Sequence, residues 1–239
     1  MAVHYRTQGI ILEKEDRRDS DQFLTIYTKD FGKVEVLAKA VKKITSKLRG
    51  GADLFYFSEI EFIQGKNRKT LTDAILIDKF SNIRKDLKKL QALWRIAEIL
   101  DKLSSREEKE NKVWELLIET IRKLDDENLK LEPSVLYHYF LWNLLSLLGY
   151  EPELYSCNFC KKRLGPQKFY FDFKEGGVIC EKCLSVREGG EISQSIVKII
   201  RIFLNKNWQI LARLKIDPES RRLLKKVSES YLSEVLGKN

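Results

Sequence analysis

The sequence predicts an α+β chain: a small N-terminal barrel, then a helical C-terminal domain carrying an inserted four-cysteine zinc knuckle. Three observations lead there. Residues 1–80 alternate short β-rich runs with polar turns, and from residue 81 the apolar residues recur at helical spacing. The only four cysteines fall in two Cys-x-x-Cys pairs, Cys157/Cys160 and Cys180/Cys183. These features mark out 1–80 as the barrel, 81–154 as the first part of the helical domain, 155–190 as the zinc insert and 191–239 as its second part.

Within the first segment, Thr7 to Leu12, Gln22 to Tyr27, Lys33 to Val41, Leu54 to Ile63 and Leu71 to Ile77 are rich in β-branched and aromatic residues. Asp30-Phe31-Gly32 reads as the tight turn between the second and third runs. Five short strands of uneven length suggest an OB-fold, a five-stranded barrel that typically binds single-stranded nucleic acid.

Charge supports that use. The net charge is +9, with 15 basic against 12 acidic residues in 1–80, 12 against 14 in 81–154, and 17 against 9 in 155–239. Basic ends around a slightly acidic middle favour a polyanionic partner. Lys33 lies on the third strand, and Lys39, Lys42, Lys43, Lys47 and Arg49 follow with no acid between Glu35 and Asp53. Such a cluster neutralises phosphates without reading sequence. Lys66, Arg68 and Lys69 form a second cluster in the hairpin before the fifth strand. Phe23, Tyr27, Phe31 and Tyr56 are available for base stacking, although core packing is the expected duty of most of them.

Leu87, Leu90, Trp94, Ala97 and Leu100 predict one apolar face on a helix from about Asn82 to Leu103. Ser105 and Glu108 match a capping box for the next helix, with Val113, Leu116, Leu117, Thr120, Ile121 and Leu124 inward. A third helix, from Pro133 to Gly149, is hydrophobic nearly all round and is expected at the centre of the helical part. His138 on that helix reads as a packed side chain, because no nucleophile or paired acid accompanies it.

The two cysteine pairs can place four thiolates at the corners of one tetrahedron, the closed shell of a structural Zn²⁺. Gly165-Pro166 and Gly176-Gly177 supply the turns. Paired disulfides are the weaker reading, since the chain is long enough to build a core and Met1 to Arg6 do not resemble a secretory leader. Phe169, Tyr170, Phe171 and Phe173 before the glycine pair predict a short hairpin between the ligand pairs. Ser193 and Asp217 are caps of two further helices. On the last, Arg221, Arg222, Lys225 and Lys226 form either a solvated face or a contact for phosphate or an acidic peptide tail. With no long flexible linker, the parts are expected to pack together, with the metal bracing barrel against helices.

Several functions are disfavoured. No apolar run approaches the ~18 residues of a membrane span. No phosphate-binding Gly-Lys-Ser/Thr loop and no His-x-Glu of a zinc deaminase is present, and His4 and His138 are the only histidines. Two alternatives stand beside single-strand binding: a zinc-ribbon RNA-binding accessory protein, and a metal-dependent nuclease drawing on Asp19, Asp21, Asp73 or Asp78.

Thr7-x-Gly9-Ile10-Ile11-Leu12, Asp19-Ser20-Asp21, Thr28, Gly32-Lys33 and Ala38-Lys39-x-x-Lys42-Lys43-x-x-Ser46 resemble the N-terminal barrel of the bacterial RecO family. The run Phe140 to Tyr150 ahead of Cys157 resembles the segment that leads into that family's cysteines. Arg18-Asp19 replaces the frequent Gly-Glu, Ala40 the usual Gly, and Tyr139-Phe140-Leu141 the common Arg-Phe-Glu. The resemblance implies a cytoplasmic, nucleoid-associated, non-enzymatic mediator of DNA repair and homologous recombination. Such proteins bind single- and double-stranded DNA and anneal complementary strands without ATP. They recognise the C-terminal tail of single-stranded DNA-binding protein and, with RecR, load RecA.

Overall fold

The structure, a computed structural model, describes residues 3–17, 19–105, 107–165, 168–186 and 188–237; Arg18 and Pro166 lie outside the described residues. Strands β1 (His4–Arg17), β2 (Asp21–Thr28), β3 (Gly32–Ala38), β4 (Phe57–Gln64) and β5 (Lys69–Asp78) close a barrel in the order β1-β2-β3-β5-β4. The five expected runs are the five strands. β1 pairs antiparallel with both β2 and β4, and a register shift between Ile11 and Glu13 lets this 14-residue strand bend from one neighbour to the other. β3 meets β5 in parallel through Val36↔Lys69 and Leu37↔Thr70. Alternation sends Ile11, Leu24, Ile26, Val34, Val36, Ile60 and Phe62 into the interior, all essentially buried. Tyr5, Phe31 and Phe62 pack there with centroids 5.4–5.6 Å apart.

The expected helix from Asn82 is two helices, α1 (Ser81–Lys85) and α2 (Leu87–Leu103), divided at Asp86. The extended backbone of Asp86 lets its carboxylate accept the N–H groups of Lys88 and Lys89 at 2.8 and 3.3 Å. α2 buries Leu93, Ile96, Ala97, Leu100 and Leu103, whereas Leu87 and Trp94 are 69% and 48% exposed. The helix carries two overlapping apolar rows that share Ala97 and Leu100, and the expectation took the wrong one. Trp94 keeps an edge-on contact with Phe55, centroids 5.0 Å apart.

α3 (Asn111–Asp125) starts six residues after Ser105, so the capping-box match is not used. The preceding residues are tied to the barrel instead. Glu107 N–H donates to Lys33 O at 3.0 Å, Lys69 pairs with the Glu107 carboxylate, and Tyr27 O–H donates to Glu110 Oε2 at 3.4 Å. Gly32, at φ +57°, permits this approach, because a Cβ there would collide with the Glu108 carbonyl. The predicted stripe of α3 is buried, together with Trp114, which stacks on Tyr27.

The chain divides into two compact units, residues 1–127 and 128–239. α1 to α3 thus belong with the barrel. In the second unit α4 (Pro133–Leu147) is buried on every side from Val135 to Leu145, as its uniform hydrophobicity predicts. It packs against α6 (Gln194–Leu204) and α8 (Pro218–Leu236). Trp142 Nε1 donates to Ser228 Oγ at 3.0 Å, and its ring stacks on Tyr231 and meets Phe171 edge-on. His138 is buried beside the Tyr137 ring. Ser193 and Asp217 cap α6 and α8 as expected.

β6 (Phe169–Asp172) and β7 (Gly177–Cys180) form the predicted hairpin. A third strand, β8 (Gly190–Ile192), pairs with β6; three residues are too few to show alternation in sequence. Two single turns, α5 (Glu181–Leu184) and α7 (Trp208–Leu211), complete the unit. Among the described residues, no helix is long and apolar enough to cross a membrane.

Ala40 adopts φ +51°, a left-handed conformation that costs a residue with a Cβ roughly 1 kcal/mol. The substitution Ala40→Gly is expected to stabilise the protein by up to about 1 kcal/mol, the relief of strain exceeding the added unfolded-state entropy. Urea unfolding checks this; a lower midpoint at unchanged slope would show that the strain is absent.

Candidate metal centre and nucleic-acid interface

The four cysteines converge. Their Sγ atoms all lie within 4.8 Å of one another, with Cys160–Cys180 at 3.9 Å and Cys180–Cys183 at 3.6 Å. A tetrahedral Zn²⁺ with Zn–S bonds of about 2.3 Å has S–S edges of about 3.8 Å, so the sulfurs are already near that size. All four are thiols, and Cys157 and Cys183 are buried.

Local backbone geometry creates this convergence. Cys157 N–H donates to Lys162 O, and Lys161 N–H donates to Cys157 O, both at 2.8 Å; Lys161 turns the chain at φ +59°. Asn158 N–H donates to Val178 O at 2.8 Å, which docks the first pair onto β7 and hence beside the second. Burial pushes the Cys157 thiol up, but backbone N–H groups of Cys160, Cys180 and Phe159 outweigh it and bring it down to about 6. Burial and the neighbouring sulfurs push Cys183 up to about 12. One thiolate among these sulfurs opposes the next, and a bound dication removes that opposition. The donor set and spacing fit a metal ion with no coordination position left over.

The knuckle is seated on its own unit. Gly176, at φ +69°, lies against the Tyr231 hydroxyl, which donates to Tyr150 O at 2.9 Å. Glu153 N–H donates to Gly176 O at 3.1 Å and accepts Val178 N–H at 2.8 Å through its carbonyl. These contacts couple the knuckle to the end of α4 and to α8.

Beyond β3 the basic segment is held from inside. Val41 and Leu48 are buried in the barrel core; Ala40 N–H donates to Asp21 Oδ1 at 2.7 Å and Lys42 N–H to Ser20 O at 3.1 Å. Between these anchors Lys39, Lys42, Lys43, Lys47 and Arg49 are exposed, as is Ile44. Lys42 also pairs with Asp16 at 2.9 Å, a surface pair that a phosphate can displace.

Lys33 and Lys69 are placed differently. Lys33 Nζ lies 3.2 Å from Asp101 Oδ1, Lys69 pairs with Glu107, and their side chains are only 12% and 14% exposed. Both serve as ties between barrel and helical segment. Lys66 and Arg68 are exposed, but the parallel register sets their turn beside the start of β3, toward the opposite end from Lys39. Tyr27 is buried, Phe31 packs on the barrel core, and Tyr56 lies under Arg84, so core packing accounts for most of the four aromatics. On α8, Arg221 faces Glu132 at 3.7 Å and Lys225 faces Glu229 at 3.8 Å, while Arg222 and Lys226 are exposed one turn apart.

Three of the four carboxylates considered for a nuclease accept backbone N–H groups, and Asp19 is exposed. Asp21 holds Ala40 N–H, Asp73 accepts Ala74 N–H, and Asp78 accepts Phe80 N–H. Among the described residues, the four cysteines are the one cluster of three or more metal-ligating side chains.

Comparison with known proteins covers nearly the whole chain. Residues 1–80 match the family model described as Recombination protein O N terminal, and 84–239 match Recombination protein O C terminal. A DNA repair protein RecO from Dehalococcoides mccartyi is 33% identical over 215 residues, covering 90% of this chain and 84% of the relative. Those from Halalkalibacterium halodurans and Listeria innocua are 26% and 27% identical, covering 98% and 97% of this chain and 91% and 89% of the relatives. With an OB-type barrel, a helical C-terminal part and a four-cysteine cluster, this chain belongs to the RecO family of DNA repair proteins.

Proposed function

We propose that this protein is a non-enzymatic mediator of homologous recombination working in the cytoplasm on the nucleoid. It binds single- and double-stranded DNA and anneals complementary strands without ATP. It engages the acidic C-terminal tail of single-stranded DNA-binding protein and, with RecR, helps load RecA onto the coated strand. The observation that carries the DNA-binding step is the exposed, acid-free segment after β3, in which Lys39, Lys42, Lys43, Lys47 and Arg49 alternate with residues buried in the barrel. Cations fixed in this way lower the repulsion between two strands being paired, without the cost of ordering a floppy loop on binding. Lys66 and Arg68 supply a second contact along β3, and Arg222 and Lys226 are candidates for the acidic tail or for phosphate.

Replacing Lys39, Lys42 and Lys43 with Glu is expected to abolish annealing while preserving the fold. Each lost phosphate contact removes about 0.7 from the salt slope of single-strand binding, so the triple variant loses about 2. A strand-annealing assay without nucleotide, with and without single-stranded DNA-binding protein, measures this. Unchanged annealing at moderate salt would remove these lysines from the interface.

The metal is proposed to be one structural Zn²⁺ held by Cys157, Cys160, Cys180 and Cys183. When bound, it supplies charge neutralisation and a fixed crossing of the two ligand pairs; hydrogen bonds from the chain orient the sulfurs. Serine at Cys157 and Cys180 is expected to reduce zinc below one ion per chain and to lower the melting temperature by at least several degrees, at about 2–4 °C per kcal/mol. Metal analysis and thermal unfolding check this, and undiminished zinc content would show that the ion sits elsewhere.

A further inference from the structure

A second basic stretch, free of acids in its own sequence, lies on the metal knuckle, in the unit that does not hold the barrel. From Leu154 to Phe171 the sequence has no Asp or Glu, yet it contains Lys161, Lys162, Arg163 and Lys168, all exposed. The same stretch presents two of the large exposed aromatic side chains, Tyr155 at 60% and Phe159 at 47%. Neither ring is needed to hold the metal. Phe159 sits between Cys157 and Cys160 and is largely open to solvent.

Tyr155 is presented by a specific support. The Arg201 guanidinium lies 4.3 Å from the ring centroid, and the same guanidinium donates to the Leu154 carbonyl, which fixes it behind the ring. Tyr155 O accepts Leu164 N–H at 3.3 Å, and Ser156 bridges to Arg163, so the ring and the basic run are held in one local structure. A cleft of about 380 Å³, floored by Pro152, Leu154 and Leu204, opens beside this stack. Its two carboxylates are turned to local partners. Glu151 accepts from Ser146 Oγ, and Glu153 Oε1 accepts the N–H groups of Tyr155 and Ser156 at 2.8 and 3.0 Å. Behind it, α6 belongs to a second acid-free stretch, Ile192 to Ile216, and Lys198 lies one turn from Arg201 on the helix surface.

We propose that this face of the knuckle is a base-stacking contact for single-stranded DNA. Tyr155 and Phe159 take the faces of unpaired bases, and Lys161, Lys162 and Arg163 neutralise the adjoining phosphates. Flat rings beside cations are what an unpaired strand offers partners for and what a duplex, with its bases already stacked, does not. The contact rests on the proposed DNA-binding function and adds selectivity for single strands, which phosphate neutralisation by the barrel lysines does not provide.

The test compares four full-length, zinc-loaded proteins: wild type, Tyr155→Ala/Phe159→Ala, Tyr155→Trp, and the barrel triple Lys-to-Glu variant. Each is titrated by fluorescence anisotropy with oligo(dT) and with an abasic-phosphate oligomer of equal length. Wild type is expected to prefer oligo(dT), and the double alanine variant to lose that preference by about fivefold or more per ring, with abasic binding unchanged. The barrel variant should weaken on both probes and retain the preference. Tyr155→Trp, which keeps an aromatic face, should restore preference if combined with wild-type Phe159. Zinc content and melting temperature matching wild type show that the fold is intact. An undiminished preference in the double alanine variant overturns the stacking contact while leaving the barrel interface standing. Failure of wild type to bind either probe overturns both. Retained DNA binding with loss of binding to a peptide of the acidic tail of single-stranded DNA-binding protein would make the face a protein contact and overturn the proposal.

Discussion

Closure of the barrel depends on a parallel ladder of two residue pairs, Val36↔Lys69 and Leu37↔Thr70. Parallel strands cannot be joined by a tight turn. After β3 ends at Ala38 the chain must cross to β4, which begins at Phe57, before returning as β5. The crossing segment would be a costly loose loop if left to solvent. It is secured instead by Val41, Leu48 and Ala52 in the barrel core and by hydrogen bonds from Ala40 and Lys42 to the Ser20–Asp21 corner. Once the apolar residues of that segment are committed inward, the lysines between them have only the outside. The basic surface is thus a consequence of how an OB-type barrel closes.

Two of the expected cations, Lys33 and Lys69, are paired within the fold instead of open to solvent. Lys69 is a residue of the ladder and Lys33 lies on β3 three positions before Val36, and both reach the helical segment that follows the barrel. Lys33 meets Asp101 in the last turn of α2 and Lys69 meets Glu107 beyond it, and these pairs, with covered lysines and more open carboxylates, fasten helices to barrel. Drawing either lysine out to a phosphate would break its tie to the helical segment, a cost that exposed Lys39 or Lys43 does not carry. A count of positive residues treats Lys33 and Lys39 alike; the topology does not.

Much of this was legible in the sequence, for identifiable reasons. Strands announce themselves by a period of two, and the runs around Ile11, Ile26, Val36, Ile60 and Leu71 are all strands. Cysteine spacing encodes the knuckle because two ligands per turn fix the geometry locally, and the aromatic run before Gly176 encodes its hairpin. The caps at Ser193 and Asp217 are equally local. What was hidden depends on partners distant in sequence. α2 has two apolar rows of similar quality, and only the tertiary partners select Leu93 and Ile96 over Leu87 and Trp94. The Ser105–Glu108 match was a sound local signal overridden by Lys33 and Lys69, more than 35 residues away. Ala40 is the intermediate case: the family's glycine at that position acquires a physical reason only from the backbone, at φ +51°.

In the proposed reading, the knuckle would let a structural metal contribute to binding without touching a ligand. Four sulfurs converging within 4.8 Å of one another take up the inward direction of both cysteine turns, which leaves the outside to the residues between and after them. Phe159 and Lys161 to Arg163 are such residues. An exposed aromatic ring on a mobile loop would lose conformational entropy on stacking, whereas one whose backbone is pinned by a metal crossing has already lost it. In the proposed reading the barrel lysines and the knuckle are two separate contacts, one in each unit, and each is tested by its own variant.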